Sequence, residues 1–162
     1  MLEKPTSMEK RCLGNVKFYD DVSVTHEDGE YMNRHYEMAA DKSSETAARE
    51  MYYVRTAPED REKIEMSFNL SNYQPQLKGC GRNIYQTIYL NAAEDKHLWT
   101  KDEVKPEKTL LTKWWHQFAH EASHYYKVVP FVRFIQNTKR TWYAGAWTLV
   151  NTHEIATISG LA

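Results

Sequence analysis

Several features that would point to a secreted, membrane-spanning or nucleic-acid-binding protein are missing from this sequence. It has only two cysteines, Cys12 and Cys80, far apart and in no metal or redox spacing. Neither a disulfide framework nor a cysteine-based zinc site is expected, and reduced thiols in a cytoplasmic protein are the plain reading. No stretch approaches the roughly 20 apolar residues of a membrane span. The opening, MLEKPTSMEKRC, lacks the apolar run of a secretory signal. An excess of one charge is also missing: 21 basic residues face 22 acidic ones, a net charge of −1. That balance supplies no long-range field toward nucleic acid or an anionic membrane. No GxGxxG occurs either. The lone G-x-G, Gly79-Cys80-Gly81, has no third glycine and precedes a strand-like run instead of a helix, so a phosphate-binding turn is not expected there.

What is present is aromatic and β-prone. Of 162 residues, 41% are hydrophobic and 13% aromatic, with 11 tyrosines and 5 tryptophans. This suits one domain, or part of one. Residues 1–14 read as a loose lead-in. Residues 16–26 have strand character and end at the turn signal Glu27-Asp28-Gly29. Residues 37–50 are polar and alanine-rich, either a short solvated helix or an exposed loop. MYYVR, 51–55, reads as a strand. In 64–71, Ile64, Met66, Phe68 and Leu70 alternate with Glu65, Ser67, Asn69 and Ser71, which predicts a half-buried strand with the apolar side inward. A turn-rich loop and a further strand over 84–90 follow, so an antiparallel hairpin is expected. The fold class is α+β, built on an antiparallel sheet.

The last 23 residues, RTWYAGAWTLVNTHEIATISGLA, read as a short buried strand at 141–144, a sharp turn at Gly145, and a helix start. Asn151 is the expected N-cap, with Glu154 reaching back to it. Ala156, Ser159 and Gly160 put small residues on one helix face, which allows close approach to a neighbour. A helix N-terminus suits a phosphate or an electron-rich carbonyl. The sequence ends about two turns into this helix without a stop signal, so a piece of a longer protein is expected.

The order Ala144-Gly145-Ala146-Trp147, His153-Glu154, Ser159-Gly160-Leu161-Ala162 resembles the C-terminal flavin-contacting motif of the flavin-containing amine oxidase superfamily, closest to its branch of predicted NAD/FAD-binding, amine-oxidase-like proteins. The resemblance implies FAD as cofactor, contacted by Gly145, Ala146, Trp147, His153, Glu154 and Ile155, largely through backbone groups. It implies a substrate-domain-like mixed β region over 15–126 and an FAD-contacting segment over 127–162. The family's N-terminal Rossmann half would be missing here and needed as a partner. The implied activity is an FAD-dependent oxidoreductase, the flavin accepting a hydride equivalent from a small organic substrate, with the isolated chain inactive. It would also place Trp114 and Trp115 along a substrate cavity; core packing is the plainer reading of both.

A second motif competes. His120-Glu121-Ala122-Ser123-His124 is a literal HExxH, and on a helix His120 and His124 share a face that can bind zinc. An apolar stripe through Leu110, Leu111, Trp114, Trp115, Phe118, Ala122 and Tyr125 supports helix. Against a zinc metallohydrolase, no histidine follows at metzincin spacing, and only Glu154 is placed as a later third ligand. The resemblance instead puts a strand ending in aromatic-x-His at this place, so 107–126 is open between helix and strand. A non-catalytic remnant is the third reading.

Overall fold

The computed structural model describes residues 2–38, 50–77, 79–119 and 121–161. The chain divides into two compact units, one of Tyr19–His116 and one of Met1–Phe18 with Gln117–Ala162. The expected helix or loop at 37–50 lies largely outside the described residues.

The first unit is an α+β unit on a five-stranded antiparallel sheet. Its strands are β1 (Phe18–His26), β2 (Tyr52–Thr56), β3 (Ile64–Asn69), β4 (Tyr85–Tyr89) and β5 (Thr109–Phe118), in the order β2-β3-β4-β1-β5. The β3–β4 hairpin forms as expected, with Met66 opposite Ile88 and Asn69 opposite Tyr85. β2 pairs with β3 and β1 with β4, both antiparallel. Helix α1 (Ser7–Leu13) belongs to the other unit, and α2 (Gly29–His35) packs on this sheet. Short helices α3 (Leu70–Tyr73) and α4 (Ala92–Asp95) sit in the connections after β3 and β4.

α2 was not expected; only a turn was read at Glu27-Asp28-Gly29. Its signal is Asp28, an N-cap whose carboxylate accepts from the Tyr31 amide at 3.1 Å and from the Lys105 amide at 3.0 Å. Burial alone would raise the Asp28 carboxyl, but those two amides and the Lys105 charge offset it and hold the pKa below its usual value.

The parity of β3 is the reverse of the expectation. Glu65, Ser67 and Asn69 are buried, whereas Ile64 is exposed and Met66 and Phe68 are half-buried. The inner face of this sheet is built from tyrosine: Tyr31, Tyr36, Tyr53, Tyr85 and Tyr89 are all buried, with Val22, Val24 and Met32 among them. Hydroxyls on buried rings need acceptors, and β3 supplies them. The Glu65 carboxylate accepts from Tyr36 Oη at 2.7 Å, from Tyr31 Oη at 3.0 Å and from Thr100 Oγ1 at 2.9 Å. The Thr100 amide lies 3.3 Å away and the Arg55 guanidinium 3.6 Å away. Tyr89 Oη joins through Tyr31 at 3.0 Å. Burial first, and then neighbouring oxygens, push the Tyr31, Tyr36 and Tyr89 phenols far up, so they act only as neutral hydroxyls.

A second buried chain runs across β1, β4 and β3. The Asp28 amide donates to His26 Nδ1 at 3.3 Å, which leaves the proton on Nε2, 2.9 Å from Thr87 Oγ1. Thr87 donates to Ser67 Oγ at 3.0 Å, and Ser67 to the Met32 sulfur at 3.5 Å. The imidazole is held neutral: desolvation lowers its pKa to about 4, against a smaller opposing pull from Asp28.

β5 answers the question left open at 107–126. Residues 109–118 are a strand beside β1, tied at its start by the Glu27 amide donating to Lys108 O at 2.9 Å and near its end by His116 Nδ1 to Asp20 Oδ1 at 2.7 Å. The helical stripe is therefore not a buried face. Leu110, Leu111, Trp114 and Trp115 are all exposed on this edge strand, so neither tryptophan packs in a core; Trp114 meets the ring of Trp99, 6.2 Å between centroids.

Two outcomes test this interior. Glu65→Ala leaves several buried hydroxyls without their acceptor and is expected to destabilise the fold by about 3 kcal/mol in urea titration; a change within experimental error would remove Glu65 from its central place. For His26, the native imidazole binds fewer protons than the unfolded one between pH 4 and 6.5. Stability is therefore complete above about pH 6.5 and is lost as the pH falls toward 4, by on the order of 3 kcal/mol. Chemical denaturation as a function of pH measures this, and His26→Gln should flatten that part of the profile.

Candidate functional site

The residues singled out for the cofactor all lie in the second unit. Its core joins the two ends of the chain: Cys12 of α1 packs with Val128, Val132 and Ile135 from helices α5 (Ala122–Lys127) and α6 (Val132–Ile135) and the turn between them. Residues 1–14 are therefore not a loose lead-in. α1 is fixed by a full capping box: the Glu9 amide donates to Thr6 Oγ1 at 3.2 Å, and the Glu9 carboxylate accepts from the Thr6 amide at 2.6 Å.

Glu9 also carries the segment that leads to the glycine turn. Tyr143 Oη donates to Glu9 Oε1 at 2.6 Å, and the Tyr143 amide and carbonyl are both held by the side chain of Gln136, at 2.8 and 2.7 Å. The Tyr143 hydrogen bond, followed by those from Thr6, holds the Glu9 carboxyl below its usual range. Burial and then Glu9 push the Tyr143 phenol up to about 12. The expected strand at 141–144 does not form. Thr141 makes one isolated bridge to Thr138, and 142–144 run without a partner strand, because side chains and not a sheet ladder satisfy the Tyr143 backbone.

Gly145 is half-buried with φ +131° and ψ 167°, a region that residues with a side chain rarely adopt. A Cβ there would meet the Trp147 ring at 3.1 Å. Ala146 and Trp147 form a single 3-10 turn, Ala146–Thr148, closed by Thr148 Oγ1 donating to Gly145 O at 2.8 Å. The Gly145 amide does not point to open space: it donates to Ser159 Oγ at 2.8 Å. The small-residue face of helix α7 (His153–Leu161) thus rests against the turn that precedes it, and Ser159 is the site residue that the sequence reading placed on a face without giving it a bond.

His153, Glu154 and Ile155 form the first turn of α7. His153 and Glu154 are exposed and Ile155 is half-buried. The cap lies one residue later than expected: Thr152, not Asn151, accepts from the Ile155 amide, at 3.2 Å. Asn151 Nδ2 instead reaches Gln117 Oε1 at 3.4 Å. Glu154 bonds to its own amide and to Thr152, in that order of effect, which lowers its pKa, so a carboxylate stands at the positive end of α7. Gly145, Ala146 and Trp147 are thus brought to the C-terminal half of α7 through Ser159, while His153 and Glu154 stand at its opposite end.

Of the HExxH motif, residues 121–124 are described. α5 begins at Ala122, and Glu121 is its extended N-cap, with φ −94° and ψ 150°. Glu121 pairs with Lys17 at 2.8 Å and accepts from Ser123 at 2.9 Å. His124 is buried against Phe118, 4.8 Å between ring centroids. His120 lies outside the described residues, and among the described residues no group of three or more His, Cys, Asp or Glu is gathered for a metal. No family model matches the chain, and no curated protein is similar enough to count as a match.

Proposed function

We propose that this chain is the C-terminal portion of an FAD-dependent oxidoreductase of the flavin-containing amine oxidase type, acting on a small organic substrate in the cytoplasm. The observation that carries this reading is α7 with its glycine turn. The helix is apolar over IATISGL, yet none of its residues is buried, and Ile158 and Leu161 are 59% and 83% exposed. Ile158 and Leu161 stand three apart on one face of the helix, an exposed apolar surface that a further element could cover. Eight residues before its start stands Gly145, at φ +131°, where the family motif requires a glycine. Both features fit an element completed by a cofactor and a dinucleotide-binding half.

The residues fit the cofactor in part. The Gly145 turn and the α7 N-terminus are the kinds of backbone that hold a flavin chain and an electron-rich ring edge. Against this, the Gly145 amide is already donated to Ser159, and the carboxylate of Glu154 occupies the dipole end. Gly145, Ala146 and Trp147 would bind through their backbone; His153, Glu154 and Ile155 would line the ring edge. Bound flavin supplies the hydride-accepting chemistry. The chain's own share is to orient the cofactor and exclude water.

The 162-residue chain alone is expected to retain no yellow FAD complex through gel filtration. Joined to a dinucleotide-binding half, it should retain one, and Gly145→Val should lose it while far-UV circular dichroism stays unchanged. A tight complex from the chain alone, or full retention after Gly145→Val, would defeat this assignment. No turnover in the joined protein despite retained flavin would favour a non-catalytic remnant.

A further inference from the structure

The balanced charge of the whole chain conceals a division between its two units. The unit of Met1–Phe18 and Gln117–Ala162 holds eight lysines and arginines against four glutamates, a net +4, while Tyr19–His116 holds thirteen against eighteen acids, a net −5. Of the four glutamates in the basic unit, Glu3 and Glu154 are exposed. Glu9 is buried beneath Tyr143, and Glu121 is paired with Lys17.

The cations stand among exposed aromatic rings. Val132 and Ile135 of α6 point into the core, and the intervening Arg133 and Phe134 point out, with Phe134 52% exposed. A continuous row crosses this surface. The Arg11 guanidinium sits 4.4 Å over the Phe131 ring, Phe131 lies 6.5 Å from Phe134, and the Arg133 guanidinium sits 4.5 Å over Phe134. On α5, Lys127 stands 5.7 Å over Tyr126, itself 60% exposed. The turn after α6 adds Lys139 and Arg140, both with φ in the left-handed region, at 51° and 62°. Non-glycine residues rarely adopt that conformation unless the surroundings impose it. Trp142 follows, 65% exposed.

We infer that this surface docks on anionic lipid headgroups, the arginines meeting the headgroup charge and the Phe134 edge entering the interfacial layer. Basic side chains interleaved with exposed aromatics are the composition of such contacts. Single-stranded nucleic acid is the less favoured occupant. A stacking platform needs open ring faces, and here Arg11 and Arg133 already cover a face of Phe131 and of Phe134. The row lies on the outer side of short helices.

The test is co-sedimentation of the full 162-residue chain with vesicles of phosphatidylcholine alone and of phosphatidylcholine with about one third phosphatidylserine. Binding is expected to the second and not the first, weakening as salt is raised. Arg133→Gln, which keeps the stem over Phe134, should weaken it about fivefold, and Phe134→Ser about tenfold, with unchanged circular dichroism. Equal partition to both vesicles would overturn the inference. So would retention of binding by the double variant, or equally tight, salt-sensitive binding of a single-stranded oligonucleotide that Phe134→Ser leaves intact.

Discussion

One carboxylate organises the interior of the sheet unit. Glu65 lies on the inward side of an interior strand, under rings whose hydroxyls each bring a proton to donate. Without it, Tyr31, Tyr36 and Thr100 would bury donors at a penalty comparable to a lost hydrogen bond each. With it, the same rings contribute their area to the core and their hydroxyls to a closed network. The register of β3 against β2 and β4 follows from this, because sliding the strand by one residue would put Ile64 and Phe68 under the tyrosines and carry Glu65 out to solvent. The His26–Thr87–Ser67 chain uses the same inward positions of β1, β4 and β3, so two polar networks share one face.

A different logic governs the unit made from the two chain ends. Its core is small and its order depends on a few specific bonds. Glu9 links the first helix to Tyr143, Gln136 clamps the backbone of Tyr143, and Ser159 ties α7 back to Gly145. These bonds position the glycine turn without a sheet. They leave Ile158 and Leu161 of α7 exposed.

Much of the sheet could be read from sequence because its strands carry local signals. The β-branched and aromatic runs at 18–26, 52–56 and 85–89 announce themselves, and the loop after β3 supports a hairpin. Helix α2 was missed because the N-cap signal of Asp28 was read as a turn ended by Gly29. The strand at 109–118 was ambiguous because pairs such as Leu110-Leu111 and Trp114-Trp115 satisfy a helical stripe as readily as a two-sided strand. At the candidate site, the need for glycine at position 145 was legible from the turn. The cap at Thr152 was not, since Asn151 and Thr152 are both good caps and only the geometry of the preceding turn separates them.

By itself, then, the sequence determined where the chain alternates and where it must turn. Only the tertiary structure decided which side of β3 faces inward. Alternation states that two faces differ. Which one is buried depends on the chemistry waiting on the other strands and helices, and here phenolic hydroxyls from distant segments made a carboxylate, a serine and an asparagine the inward set.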